Sequence, residues 1–133
     1  MDLIETIRLD NGLTLEIWDE SRKIAEDTVK VALTARIRVA LKKEYLPGEE
    51  QYRTVRRAFG DELLYEQRNE RAYVHLKDRD AVFGQLLSDF KETTMKYISR
   101  PDFASGLAKS KFMDIQRDPY KYRAGKPDLT VLN

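Results

Sequence analysis

Between Val29 and Leu41 the side chains of Val29, Val31, Leu33, Ala35, Ile37, Val39 and Leu41 alternate with Lys30, Ala32, Thr34, Arg36, Arg38 and Ala40. A period of two puts successive side chains on opposite faces of a sheet, so this stretch predicts a strand with one dry face and a basic stripe on the other. Upstream, Leu3 to Leu9 and Leu13 to Trp18 flank Asp10-Asn11-Gly12. That turn chemistry supplies a positive φ at low cost, and it predicts a β-hairpin. Leu13, Leu15 and Ile17 would share its dry face, and Asp19 to Asp27 reads as a polar connection to the long strand.

The pattern then turns helical. A helix is expected from near Pro47-Gly48 to before Gly60, with Tyr52, Val55 and Phe59 on its apolar stripe. Glu49 and Glu50 at its start and Arg56 and Arg57 at its end complement the helix dipole. Glu62 to Arg68 and Ala72 to Lys77 read as a second hairpin around Asn69-Glu70, with Ala72, Val74 and Leu76 inward and Tyr73, His75 and Lys77 outward. From Asp80 to about Ser99 a wide stripe of Val82, Leu86, Phe90 and Tyr97 beside Phe83, Leu87 and Ile98 predicts a well-buried helix. Ser99-Arg100-Pro101-Asp102 resembles a helix cap and predicts a further helix through about Gln116.

The order ββ, β, α, ββ, α, α gives an α+β fold with an antiparallel sheet of about five strands, covered on one face by three helices. Residues 1–118 are expected to form this single domain. Residues 119–133 read as a C-terminal tail or late-docking segment, in which Leu129, Val131 and Leu132 could add an edge strand here or on another copy. Internal repeats, low-complexity runs and a clear linker are absent from the sequence.

Composition narrows the chemistry. The 133 residues are 41% hydrophobic and 35% charged, with a net charge of +1 that is unevenly spread. Met1 to Thr28 holds three basic and eight acidic residues, whereas Val29 to Arg57 holds eight basic and three acidic. These consecutive segments are expected to be sheet neighbours whose charges offset each other, with Glu5 or Glu16 opposite Arg36 and Arg38. The absence of cysteine removes disulfides, thiolate nucleophiles and cysteine metal sites. Met1 to Asp10 lacks a basic stretch followed by an apolar run, and no eighteen apolar residues run together, so a cytoplasmic protein without a membrane partner is expected.

His75 is the sole histidine, which excludes histidine-rich metal sites and mechanisms with two imidazoles. A solvated or structural role fits it better than catalysis. Asp78-Arg79-Asp80 lacks the further ligands of a calcium loop and reads as helix capping. The carboxylates of Glu49-Glu50 and Asp61-Glu62 sit on adjacent residues and diverge. Phosphate-loop glycine motifs and a G-x-S-x-G elbow are missing. No catalytic residue, cofactor or metal is therefore assigned.

What remains is a binding surface. Arg36, Arg38, Arg53, Arg56 and Arg57 supply charge, Trp18 and Tyr73 supply stacking, and His75 lies beside Tyr73. The favoured reading is a small noncatalytic binding or assembly module, a homodimer or a partner of another protein, because long antiparallel strands leave edges that template pairing. The alternative is nucleic-acid or other polyanion binding through the basic strand and helix, which the near-neutral composition disfavours.

Overall fold

The computed structural model describes residues 1–122 of the chain. It is an α+β fold: an open antiparallel sheet of five strands with three substantial helices. The strands are β1 (Asp2–Arg8), β2 (Thr14–Asp19), β3 (Arg22–Ala25), β4 (Thr28–Ala40) and β5 (Glu62–His75). The helices are α1 (Glu49–Phe59), α2 (Arg79–Thr93), α3 (Met95–Ile98), α4 (Phe103–Arg117) and α5 (Pro119–Tyr122). The edge strand anticipated at Leu129, Val131 and Leu132 lies outside the described residues.

The first hairpin forms as its turn chemistry requires. Gly12 takes φ 88°, and Leu9 and Leu13 close the turn through a 2.8 Å backbone bond. β2 then pairs with β4 from Leu15↔Ile37 to Asp19↔Leu33, and β3 continues the same register at Arg22↔Lys30 and Lys23↔Val29. β2 and β3 thus lie end to end along one edge of β4, bridged by Glu20 N–H donating to Ala32 O at 2.9 Å. β5 pairs with β4 as well.

Several expectations are corrected here, although the strand count stands at five. Asp19 to Asp27 is not merely a polar connection, because β4 is long enough to hold Arg22–Ala25 in register, leaving a two-residue turn at Glu26-Asp27. Glu62 to Lys77 is not a hairpin but the single strand β5, fourteen residues long. Asn69-Glu70 brings no glycine to a tight turn, and pairing with β4 keeps both residues extended. Ala72 is consequently exposed and Leu76 is 43% exposed, neither facing a core. The helix expected over Asp80 to Ser99 also divides at Thr94 into α2 and α3, and Ser99 ends α3 rather than capping α4. Asp78 does occupy the position before α2, without a side-chain capping bond.

The chain forms two compact units. One comprises Met1–Ile37 with Tyr65–Arg100; the other comprises Arg38–Leu64 and the described residues from Pro101 onward. In the first, the dry sheet face of Leu15, Ile17, Val31, Leu33, Ala35 and Ile37 is buried, as are Phe83, Leu86 and Phe90 of α2 and Ile98 of α3. Asp19 on β2 accepts a 2.5 Å bond from Arg79 at the start of α2, and Lys91 near its end donates to Glu5 on β1 at 2.9 Å. The second unit buries Val39, Leu41, Leu46, Val55, Ala58, Leu63, Phe103, Ala104 and Ala108, and the Tyr122 ring of α5 lies 5.1 Å from that of Phe59.

Candidate binding surface

The face of β4 opposite its dry side is the surface that the alternation marked as basic. Within the first unit it is neither open nor unpaired. Ala32 is 0% and Thr34 1% exposed, so β4 is covered on both faces at its middle. At Thr34 the cover on this side is polar. Glu20, whose side chain is only 15% exposed, accepts from the Thr34 hydroxyl at 2.7 Å and from the Arg36 guanidinium at 3.2 Å, and it also pairs with Arg68. Arg36 donates to Glu66 at 2.5 Å, Arg68 to Glu70 at 2.8 Å, and Lys30 lies 3.4 Å from Glu70.

Three cations and three carboxylates therefore alternate across β4, β5 and the Glu20 link between β2 and β3. The Thr34 hydrogen bond, followed by the charges of Arg36 and Arg68, holds the Glu20 carboxyl below its usual range. The bond from Arg68 does the same for Glu70, while the bond to Glu66 raises Arg36. With both partners of each pair ionised, the face carries little net charge.

The structure brings two of the sequence-derived candidates together on this face. The Arg36 guanidinium lies 5.7 Å from the centre of the Trp18 ring, and the indole N–H donates to Glu16 Oε1 at 3.0 Å. Glu16 is the cross-strand neighbour of Arg36, as expected, whereas Glu5 faces Lys91 instead. The carboxylates that hold Arg36 are Glu20 and Glu66. Sequence reasoning missed them because Glu20 fell in the presumed connection and Glu66 in the presumed hairpin. The even-numbered charges Glu66, Arg68 and Glu70 were the available signal, since they share one face of a continuous strand.

Arg38 lies on the same strand in the second unit, where α1 carries the other arginines. Tyr52, Arg53, Arg56 and Arg57 line one open recess of about 360 Å³. Arg53 is paired with Glu49 and Arg56 with Asp61, each at 2.6 Å, and Arg57 has no ion-pair partner among the described residues.

Tyr73 and His75 sit at the far end of β5. Tyr73 has φ 59°, is 83% exposed, and breaks the regular extended run. His75 Nδ1 accepts from the Lys77 N–H at 3.1 Å, and its Nε2 faces the Asp27 carboxylate at 3.9 Å. Among the described residues no group of three His, Asp or Glu side chains converges as a metal site, and no helix is long and apolar enough to cross a membrane.

What is left open is backbone. β1 pairs only with β2, and β5 only with β4, so each presents one strand edge without a strand partner among the described residues. β1 is seven residues long and carries a register shift between Leu3 and Glu5, an irregularity of the kind that discourages further edge pairing. β5 is twice as long, and its sides alternate regularly, with Leu63, Tyr65, Gln67 and Asn69 more buried than Glu62, Leu64, Glu66, Arg68 and Glu70. Searches against family models, curated proteins and solved structures find no match to this chain.

Proposed function

We propose that this chain is a noncatalytic binding or assembly module that works as a homodimer. One observation carries the reading: the sheet is open, and the edge of its longer edge strand, β5, that faces away from β4 has no strand partner among the described residues. Unpaired N–H and C=O groups along such an edge are matched by a second strand at little cost in rearrangement. The self-neutralised charge network supports the same choice, because it removes Arg36 and its neighbours as free anion ligands. Cytoplasmic location is part of the proposal and rests on the cysteine-free composition. Light scattering over a dilution series tests it. The expected mass is twice the 15.6 kDa chain at high micromolar concentration; a constant single-chain mass contradicts the homodimer.

A second reading, nucleic-acid or other polyanion binding, is favoured by the α1 recess alone, where three arginines adjoin the Tyr52 ring. It predicts a fluorescence anisotropy rise with a labelled single strand that collapses with salt and is lost in Arg57→Glu. No anisotropy change at low salt removes it.

A further inference from the structure

We infer that the homodimer forms by antiparallel pairing of β5 with β5 of a second copy, about a two-fold axis at Asn69. This rests on the assembly reading above and names its interface. An antiparallel pair across a two-fold perpendicular to the sheet keeps the faces matched, so inward residues oppose inward residues and the axis falls on one residue paired with itself. The regular alternation of β5 makes Gln67, Arg68, Asn69 and Glu70 the central choices.

Charge selects among them. An axis at Arg68 sets that cation against its own copy, and one at Glu70 does the same to a carboxylate, both unfavourable opposite pairs. With the axis at Asn69, Arg68 of each chain faces Glu70 of the other, twice, which extends the intrachain run from Lys30 through Glu70 and Arg68 to Glu20 into the neighbouring sheet. Gln67 then faces Arg71, which is exposed and has no ion-pair partner among the described residues. The small exposed Ala72 opposes Glu66, and Asn69 meets Asn69 with amide donors and acceptors on both sides. An axis at Gln67 also opposes unlike charges, Glu66 and Arg68, but sets Arg71 against the apolar Leu63. The left-handed Tyr73 terminates the ladder at its end. A contact confined to one strand edge is at the small end of specific interfaces, so dissociation on dilution is expected.

The absence of native cysteine makes the test clean. Asn69→Cys places one thiol beside its own copy at a cross-strand separation that a disulfide spans. Under a mild oxidant it should give covalent dimer on the order of a hundredfold faster than Ser110→Cys, an exposed α4 position that meets its copy only by collision. Gln67→Cys and Arg71→Cys should each cross-link slowly alone and quickly when mixed. Fast self-linking of Gln67→Cys, or equal rates for Asn69→Cys and Ser110→Cys, overturns the inference. If the unmodified chain has twice the monomer mass while Asn69→Cys links no faster than the control, this interface fails and the assembly reading survives. A single-chain mass at every concentration removes both.

Discussion

Replacing Glu20 tests whether the charge network is what closes the outer face of the sheet. Its side chain is 15% exposed and contacts Thr34, Arg36 and Arg68 at once. Glu20→Gln keeps an acceptor for the Thr34 hydroxyl and removes only the charge. Arg36 retains Glu66 and Arg68 retains Glu70, both partly solvated, so the loss should be about 1 kcal/mol, between an exposed ion pair and a desolvated charged hydrogen bond. Glu20→Ala also strips the hydroxyl of a residue that is 1% exposed. An unmet buried hydroxyl adds a further 1–3 kcal/mol or so. For a chain of 133 residues, each kcal/mol corresponds to about 3–5 °C in Tm. Thermal and urea unfolding followed by circular dichroism at pH 7 would read this, with Glu26→Gln in the exposed turn as a control expected to stay within about 0.5 kcal/mol. Equal stability of the wild type, Glu20→Gln and Glu20→Ala would refute the view that these charges act as the second layer over Thr34.

Three other outcomes follow from the same geometry. Asn11 Nδ2 donates to the Ile98 and Arg100 carbonyls, each at 2.9 Å, while its Oδ1 accepts from the Leu13 N–H. Asn11→Asp keeps the turn bond but loses both donors, so it should cost about 1–3 kcal/mol in urea unfolding, and an unchanged midpoint would contradict the tether. Burial pushes the Asp19 carboxyl up, but the bonds from Ser21 and Arg79 more than offset this, and Glu20 and Glu70 are held low by Thr34 and Arg68. Their folded values lie below the unfolded ones, so their contribution is full above about pH 4 to 5 and is lost as pH falls through the lower folded values. Stability measured by urea midpoint should therefore stay level from pH 7 to 5 and fall below that, with a shallower fall in Glu20→Gln; a fall beginning above pH 6 would contradict the assignment. Tyr73→Gly relieves a left-handed tyrosine of about 1–2 kcal/mol and should be neutral or stabilising, unlike a glycine placed in a regular strand.

The elements that were legible in the sequence are those whose identity is local. β4 declares itself by thirteen residues of alternation, the first hairpin by Asn11-Gly12, and α1 by charges that suit its dipole. β3 and the unbroken course of β5 were not legible, because partner strands decide them. Arg22–Ala25 has no dry face and is extended only because β4 continues beside it. In β5, Tyr65, Gln67 and Asn69 form a polar side, with Tyr65 donating to Gln67 at 2.9 Å, where a single-sequence reading expects apolar side chains. The same cause hid half of the candidate surface. Trp18 beside Arg36 and the arginines of α1 could be read from spacing, whereas Glu20 becomes a hub only once the connection containing it is folded along β4.

The measurement closest to the central claim is amide hydrogen exchange of β5 at two protein concentrations. If the open edge is where copies meet, the β5 amides from Tyr65 to Ala72 that point away from β4 will exchange more slowly in concentrated than in dilute protein, while the outward amides of β1 will not change. Exchange along β5 that is independent of concentration, in a sample whose mass remains that of one chain, would contradict the account.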